Sequence, residues 1–237
     1  LAEMTKIGLP VPYGFVITTE VCNKYYENNK KISKDIEKEI FDSLKKLEEF
    51  TNKKLGDKEK PLLVSVRSGA RMSMPGMMDT VLNLGMNDEV CAGFAKKTKN
   101  PRFAYDSYRR FIMMYSNVVM NQDTSKFEEI LDEKKKENNV KLDTELTAID
   151  LKNIVEKYKI LYKELIGENF PQDVKKQLIT AVEAVFNSWQ NERAKIYRKM
   201  NDIPSEWGTA VNVQQMVYGN SGENSGTGVA FSRNPST

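Results

Sequence analysis

Apolar residues recur along this chain with two different periods. Near the amino terminus, Leu9-Pro-Val-Pro-Tyr-Gly-Phe-Val-Ile-Thr-Thr19 passes from turn residues into a short β-branched run, which predicts a strand. Ile32, Ile36, Ile40, Leu44 and Leu47 then repeat every three or four positions, the spacing of a helix face that packs on a core. Leu62-Leu-Val-Ser-Val66 reads as a buried strand, and it delivers Arg67 onto a glycine-containing loop. Helical spacing resumes in Ala104, Tyr108, Phe111, Ile112, Tyr115, Val118 and Val119, with Asn100-Pro101 as a start signal. A polar, lysine-rich stretch from 122 to 143 interrupts the pattern.

Thr147-Ala-Ile-Asp150 has the form of a capping box with Asp in its last position. Behind it Leu151, Ile154, Val155, Tyr158, Leu161, Tyr162 and Leu165 share one helical face, and Gly167 is a stop. Pro171 precedes a further helix with Val174, Leu178, Ala181, Val182, Val185, Phe186 and Trp189 inward. Residues from about 86 to 190 are therefore expected to be mainly helical. Strand character returns in Thr209-Ala-Val-Asn-Val-Gln-Gln-Met-Val-Tyr218 and, after a glycine-rich stretch, in Val229-Ala-Phe231. Two strands joined by such a loop make a hairpin or a phosphate cradle.

Composition narrows the function. The 237 residues are 40% hydrophobic and 29% charged, ordinary for a globular chain able to bury a core. Thirty-six Lys and Arg against 33 Asp and Glu leave a net charge of +3, too small and scattered for a nucleic-acid footprint. No apolar run is long enough to span a membrane and no export signal is visible, so the expected location is cytoplasmic. Cys22 and Cys91 lack metal-ligand spacing and read as reduced thiols. With no histidine in the chain, a Ser-His or Cys-His nucleophilic pair, a histidine metal site and a phosphohistidine are all excluded within it. Chemistry here must rest on Arg, Lys, carboxylates, backbone amides and bound metal.

Arg67 and Arg71 flank a glycine in Arg67-Ser-Gly-Ala-Arg71, where fixed guanidinium groups suit a polyphosphate. Read alone, both are as well explained as surface or structural arginines, and the methionine-rich 72–78 as flexible packing material. Gly226-Thr-Gly228 offers backbone amides to an anion, but it matches neither the dinucleotide fingerprint nor the Walker loop.

Together these segments resemble one family. The runs Val64-Ser-Val-Arg-Ser-Gly-Ala-Arg71, Ser73-Met-Pro-Gly-Met-Met-Asp-Thr-Val-Leu-Asn-Leu-Gly85, Asn100-Pro-Arg-Phe-Ala-Tyr-Asp-Ser-Tyr-Arg-Arg-Phe111 and Ser225-Gly-Thr-Gly-Val-Ala-Phe-Ser-Arg-Asn-Pro-Ser-Thr237 resemble the amino-terminal nucleotide-binding domain of the pyruvate, phosphate dikinase family. The resemblance spans essentially the whole chain. Gly-Ala-Arg followed by Met-Pro-Gly-Met-Met-Asp favours that family over the related phosphoenolpyruvate synthases.

The resemblance implies an α+β, ATP-grasp-type nucleotide-binding domain with an inserted helical subdomain, incomplete at both ends. It implies a first lobe over 1–85, the insertion over 86–171, a return to the first lobe over 172–216 and the start of a second lobe over 217–237. It further implies phosphoryl transfer from ATP, with Mg2+, to a histidine on a separate swivelling domain and to inorganic phosphate. The parent then converts ATP, phosphate and pyruvate to AMP, pyrophosphate and phosphoenolpyruvate, with pyruvate bound elsewhere and the parent a homo-oligomer. Carried over by position, Arg67 matches the phosphate-binding, catalytic arginine. Arg71, with Met77 and Asp79 of the 73–79 loop, matches the segment that closes near the phosphates. Gln215, Met216 and Val217 match the strand lining the adenine pocket, and Ser225, Gly226, Thr227 and Gly228 the glycine-rich phosphate loop.

Departures bound the expectation. The family's lysine just before the Leu1-Ala-Glu-Met4 match and its metal ligands beyond Asn234-Pro-Ser-Thr237 lie outside the chain, so no metal ligand is assigned within it. The basic cluster Arg193, Lys195, Arg198 and Lys199 is a candidate dock for the phosphohistidine domain, against the plain reading of exposed charges on a helix. A non-catalytic nucleotide-binding module is the competing class.

Overall fold

The computed structural model describes residues 2–230. It is a mixed α and β structure built on one small antiparallel sheet, with strands β1 (Gly14–Ile17), β4 (Val64–Gly69), β5 (Thr80–Leu84) and β6 (Ala210–Gln215) in the order β1-β6-β4-β5. A separate parallel pair joins β2 (Lys54–Leu55) and β3 (Pro61–Leu62).

Capping explains most helix starts. Ser33 accepts from the Ile36 amide ahead of α3 (Lys34–Thr51), which follows α1 (Ala2–Lys6) and α2 (Thr19–Glu27). Asn87 accepts from Val90 at 2.8 Å to open α4 (Asp88–Thr98), and Asn100 from Phe103 at 3.0 Å to open α5 (Pro101–Val118), with Pro101 in the first turn. The Thr147 capping box forms as the spacing predicts, with Asp150 N donating to Thr147 Oγ1 at 3.2 Å and Thr147 N to Asp150 Oδ2 at 3.0 Å. It opens α7 (Ala148–Ile166), which ends on Gly167 at φ +83°. Asp173 caps α8 (Val174–Ser188), and α9 (Glu192–Met200) follows a tight turn.

Two expectations need correction. The lysine-rich stretch after 122 contains a helix, α6 (Ser125–Glu137), whose Phe127 and Leu131 are buried against the core formed with α7. The carboxyl-terminal strand stops at Gln215, because the chain turns to pack Tyr218 against Phe94 and Phe103 and donate its hydroxyl to Asn83 Oδ1 at 3.0 Å. Residues 229 and 230 are not in a strand, and Phe231 lies outside the described residues, so no glycine-loop hairpin forms among the described residues.

Period-two alternation divides the sheet. Val64 and Val66 of β4, Val81 of β5, and Val211 and Val213 of β6 are fully buried in one core with Ile17, Leu44, Phe111, Tyr158 and Val185. Helix α8 packs along β4, β5 and β6, and α5 along β5. Among the described residues, the opposite face, carrying Ser65, Arg67, Asn212 and Gln214, holds no layer of helices apart from the short α1 at its rim.

Candidate functional site

The open sheet face is the place to look for a ligand. Register sets Gly14 and Ser65 beside Gln214, and Val16 and Arg67 beside Asn212. On the other flank, Leu82 and Asn83 together oppose Ser65 in a β-bulge, with Asn83 at φ +59°. Alternation from buried Val81 sets Leu82 on the open face, and the extra residue returns Leu84 to the core; Leu82 joins Ser65, Arg67, Gln214, Gln215, Met216 and Val217 around a cleft of 570 Å3. Leu9, Pro10, Val11, Pro12 and Met4 supply the facing wall. Apolar walls with a few polar groups and this volume are what a small-molecule site has.

Among the described residues Arg67 is the one cation lining this cleft. Its backbone pairs with Asn212 and Thr80, so it stands within β4 rather than on a loop, a correction to the sequence expectation. Alternation sends its side chain away from Val64 and Val66 to the exposed face. Its Nη2 donates to Gln214 Oε1 at 2.7 Å, and Gln214 Nε2 donates to the Pro12 carbonyl at 2.9 Å. Close approach makes this possible: a Cβ on Gly14 would lie 2.6 Å from Val213 O and 2.9 Å from Gln214 Cα.

The structure thus gathers Arg67, Gln215, Met216 and Val217 of the sequence candidates in one cleft. It places Arg71, Met77 and Asp79 elsewhere. Beyond β4 the chain folds onto the end of α8 and α9, where buried Met74 packs with Trp189, Ala194 and Ile203, and Met77 and Met78 pack around them. The Arg71 guanidinium lies 5.0 Å from the centroid of the Trp207 ring. Asp79 is ion-paired with Arg193, accepts from Asn191 Nδ2 at 3.1 Å, and donates its amide to Ser188 Oγ at 3.2 Å. The methionines here are packing material in a defined seat.

Arg193 and Arg198 are likewise redefined. Arg193 Nε donates to the Met77 carbonyl at 3.1 Å while its guanidinium meets Asp79, so this charge is spent inside the chain. Arg198 is 2% exposed, stacked 4.1 Å from the Trp189 ring centroid and donating Nη1 to the Trp189 carbonyl. Burial depresses its proton affinity. It does not belong to an exposed docking face; Arg193, Lys195 and Lys199 of that cluster lie at the surface, Arg193 with its charge paired to Asp79.

Ser225, Gly226, Thr227 and Gly228 sit in a turn that closes on itself. Ser225 N donates to Gly222 O at 3.0 Å, the Ser221 and Ser225 hydroxyls are 2.7 Å apart, and Gly219 abuts Gly226 and Thr227 too closely for any Cβ. These residues do not line the Arg67 cleft. Gln214 and Pro12, which no sequence motif singles out, also belong to the site. Alternation in Val211-Asn-Val-Gln214 holds the signal for Gln214, since it puts Asn212 and Gln214 opposite two core valines. Among the described residues no group of three or more His, Cys, Asp or Glu side chains is placed to hold a metal, so the Mg2+ that the resemblance implies finds no ligand set there. No described helix is long and apolar enough to cross a membrane.

Comparison with known proteins gives this geometry its context. A family model described as "Pyruvate phosphate dikinase, AMP/ATP-binding domain" matches residues 1–55 and 29–237. The chain is 64% identical, over 238 residues, to pyruvate, phosphate dikinase of Clostridium symbiosum, covering 100% of this chain and 27% of that protein. It is 58% identical over 237 residues to the chloroplastic pyruvate, phosphate dikinase of Flaveria pringlei, covering 100% of this chain and 25% of that one. Pyruvate, phosphate dikinase 2 of Zea mays is 55% identical over 237 residues, 100% of this chain and 27% of the relative. The chain spans about a quarter of the length of the curated relatives it matches.

Proposed function

The chain belongs to the pyruvate phosphate dikinase AMP/ATP-binding domain family, and from that premise we propose that its open sheet face holds ATP for phosphoryl transfer in a dikinase. The observation that carries the reading is the meeting of Arg67 with apolar Leu9, Val11, Leu82 and Met216 in one cleft. Adenine offers apolar faces and a polar edge, which fit those side chains and the backbone of 215–217; the phosphates fall to the guanidinium. Phosphoryl transfer asks little covalent help from protein, so fixing and neutralising the spreading charge is the task, and a planar guanidinium with several donors does both.

In this reading the domain is an ATP-grasp unit. The four-stranded sheet draws its strands from 1–85 and 172–216 alone, which supports a first lobe made of those two segments, with 86–171 inserted and a second lobe beginning at 217. The glycine-rich 225–228 then belongs to the phosphate side of that second lobe. Arg71 and Met77 reach the nucleotide once the 73–79 loop leaves its seat on α9. A chain without histidine needs its acceptor from another part of the polypeptide, a phosphohistidine domain that passes the group to pyruvate. Inorganic phosphate takes the other phosphoryl group, giving AMP, pyrophosphate and phosphoenolpyruvate.

The test uses the full-length polypeptide with magnesium and ATP labelled in the β-phosphate. Acid-labile protein label that moves to pyruvate, with phosphate-dependent pyrophosphate formation, is the expected result, and Arg67→Ala abolishes it in a folded protein. Nucleotide bound without any transferred label would replace this reading with a non-catalytic nucleotide-binding module.

A further inference from the structure

We infer that Gln214 is the positioning residue of the nucleotide cleft, holding the Arg67 guanidinium in place without neutralising it. The inference rests on the proposal that Arg67 binds the phosphates. Its basis is a relay across three segments: Pro12 carbonyl, Gln214 carboxamide, Arg67 guanidinium, at 2.9 and 2.7 Å.

The chemistry fixes the amide's orientation. A carbonyl only accepts and a guanidinium only donates, so Nε2 must face Pro12 and Oε1 must face Arg67. A glutamine with both ends engaged and 7% exposure cannot swing away to solvent. Its anchor is rigid too, because Pro10 and Pro12 have φ locked by their rings, and Val11 N closes on Leu9 O at 2.8 Å.

A neutral partner leaves Arg67 its charge, as backbone carbonyls do for Arg102 and Arg198. Arg109, Arg110 and Arg193 are all held by carboxylates, of Asp106, Asp143 or Asp79. Such a partner cancels the charge that a phosphate would need. An amide oxygen takes one of the five guanidinium N–H groups and leaves four, with the full charge, for other partners. Ordering an exposed arginine costs side-chain entropy, which a tether in the free protein moves from the binding step to folding.

Nucleotide affinity in the full-length protein tests this with ATP and adenosine as paired probes. Gln214→Leu, near in volume, is expected to weaken ATP about tenfold and to leave adenosine unchanged. In an Arg67→Ala background the same change should cost nothing further, since the residue it positions is gone. Gln214→Glu gives a second readout. Its ionised carboxylate competes with phosphate for Arg67, so ATP binding relative to wild type is weak near neutral pH; it recovers as pH falls and the carboxyl becomes a neutral isostere of the amide. Unchanged ATP affinity in Gln214→Leu, equal loss of adenosine, or a loss that persists without Arg67 each overturns the positioning role while leaving Arg67 as a phosphate ligand. Unchanged ATP affinity in Arg67→Ala overturns the underlying reading and this inference with it.

Discussion

Arg193, in the first turn of α9, closes on Asp79 across 114 positions of sequence and fastens the methionine-rich loop to the helical layer. The same guanidinium holds the Met77 carbonyl, so one side chain secures both the end and the middle of the 73–79 segment. A loop that the resemblance matches to the segment closing near the phosphates is thereby given a docked position.

Releasing that fastening should alter mobility more than stability. Arg193 is half exposed, and ion pairs in water contribute little to folding. Arg193→Ala is expected to raise hydrogen exchange through 72–79 with a change in Tm of no more than about two degrees. Exchange in 72–79 equal to wild type would show that Met74 and its apolar seat hold the loop alone.

Gly14 should tolerate no side chain. A Cβ there lies 2.6 Å from the Val213 carbonyl, and both partners are backbone of paired strands that cannot yield locally. Gly14→Ala is expected to cost about 1–3 kcal/mol in urea unfolding and to weaken ATP binding by displacing Gln214. A stability equal to wild type would mean that β1 shifts freely along β6.

Gln177 clamps three backbone groups behind the site. Fully buried, it accepts from Gly85 N at 3.2 Å and donates to Met86 O at 3.1 Å and Pro171 O at 2.7 Å. Replacement by Leu leaves those groups without partners, a cost on the order of 3 kcal/mol. Denaturant titration should find that loss, with ATP affinity of the remaining folded protein unchanged.

Acid should loosen the helical layer through Asp143. Burial raises the proton affinity of this carboxyl, but Arg109 and Lys135 outweigh it and hold the pKa below the ordinary 3.8. A folded pKa below the unfolded one means stability that is complete above about pH 4 to 5 and lost as pH falls through the folded value. Tm measured from pH 6 to pH 3 should therefore fall less steeply in Asp143→Asn than in wild type, from a lower starting Tm. Parallel curves would remove Asp143 from the acid response.

Most of the fold was legible because it is local. The start signals at Asn100 and Thr147 and the apolar periods of α5, α7 and α8 are written within a few residues of where they act. Helix α6 was not legible, since Phe127 and Leu131 form too narrow a stripe among lysines to reveal a buried face. The end of β6 was set from outside, by the aromatic pocket that takes Tyr218.

For the site, the sequence by itself determined that Arg67 directly follows a buried apolar run. That it stands inside β4, on the face opposite Val64 and Val66, came from its pairing with Asn212 and Thr80, which hold the chain extended so that side chains alternate. The sequence also determined the family. What only the tertiary structure decided is which positive charges remain available. Arg67, Arg71, Arg193 and Arg198 are alike as letters, yet one is held by an amide, one lies over Trp207, one is bound to Asp79 and one is stacked in the interior on Trp189. A guanidinium's chemistry depends on the partner within about 3 Å of it, and for Arg67 and Arg193 that partner stands more than a hundred positions away, beyond the reach of any local pattern.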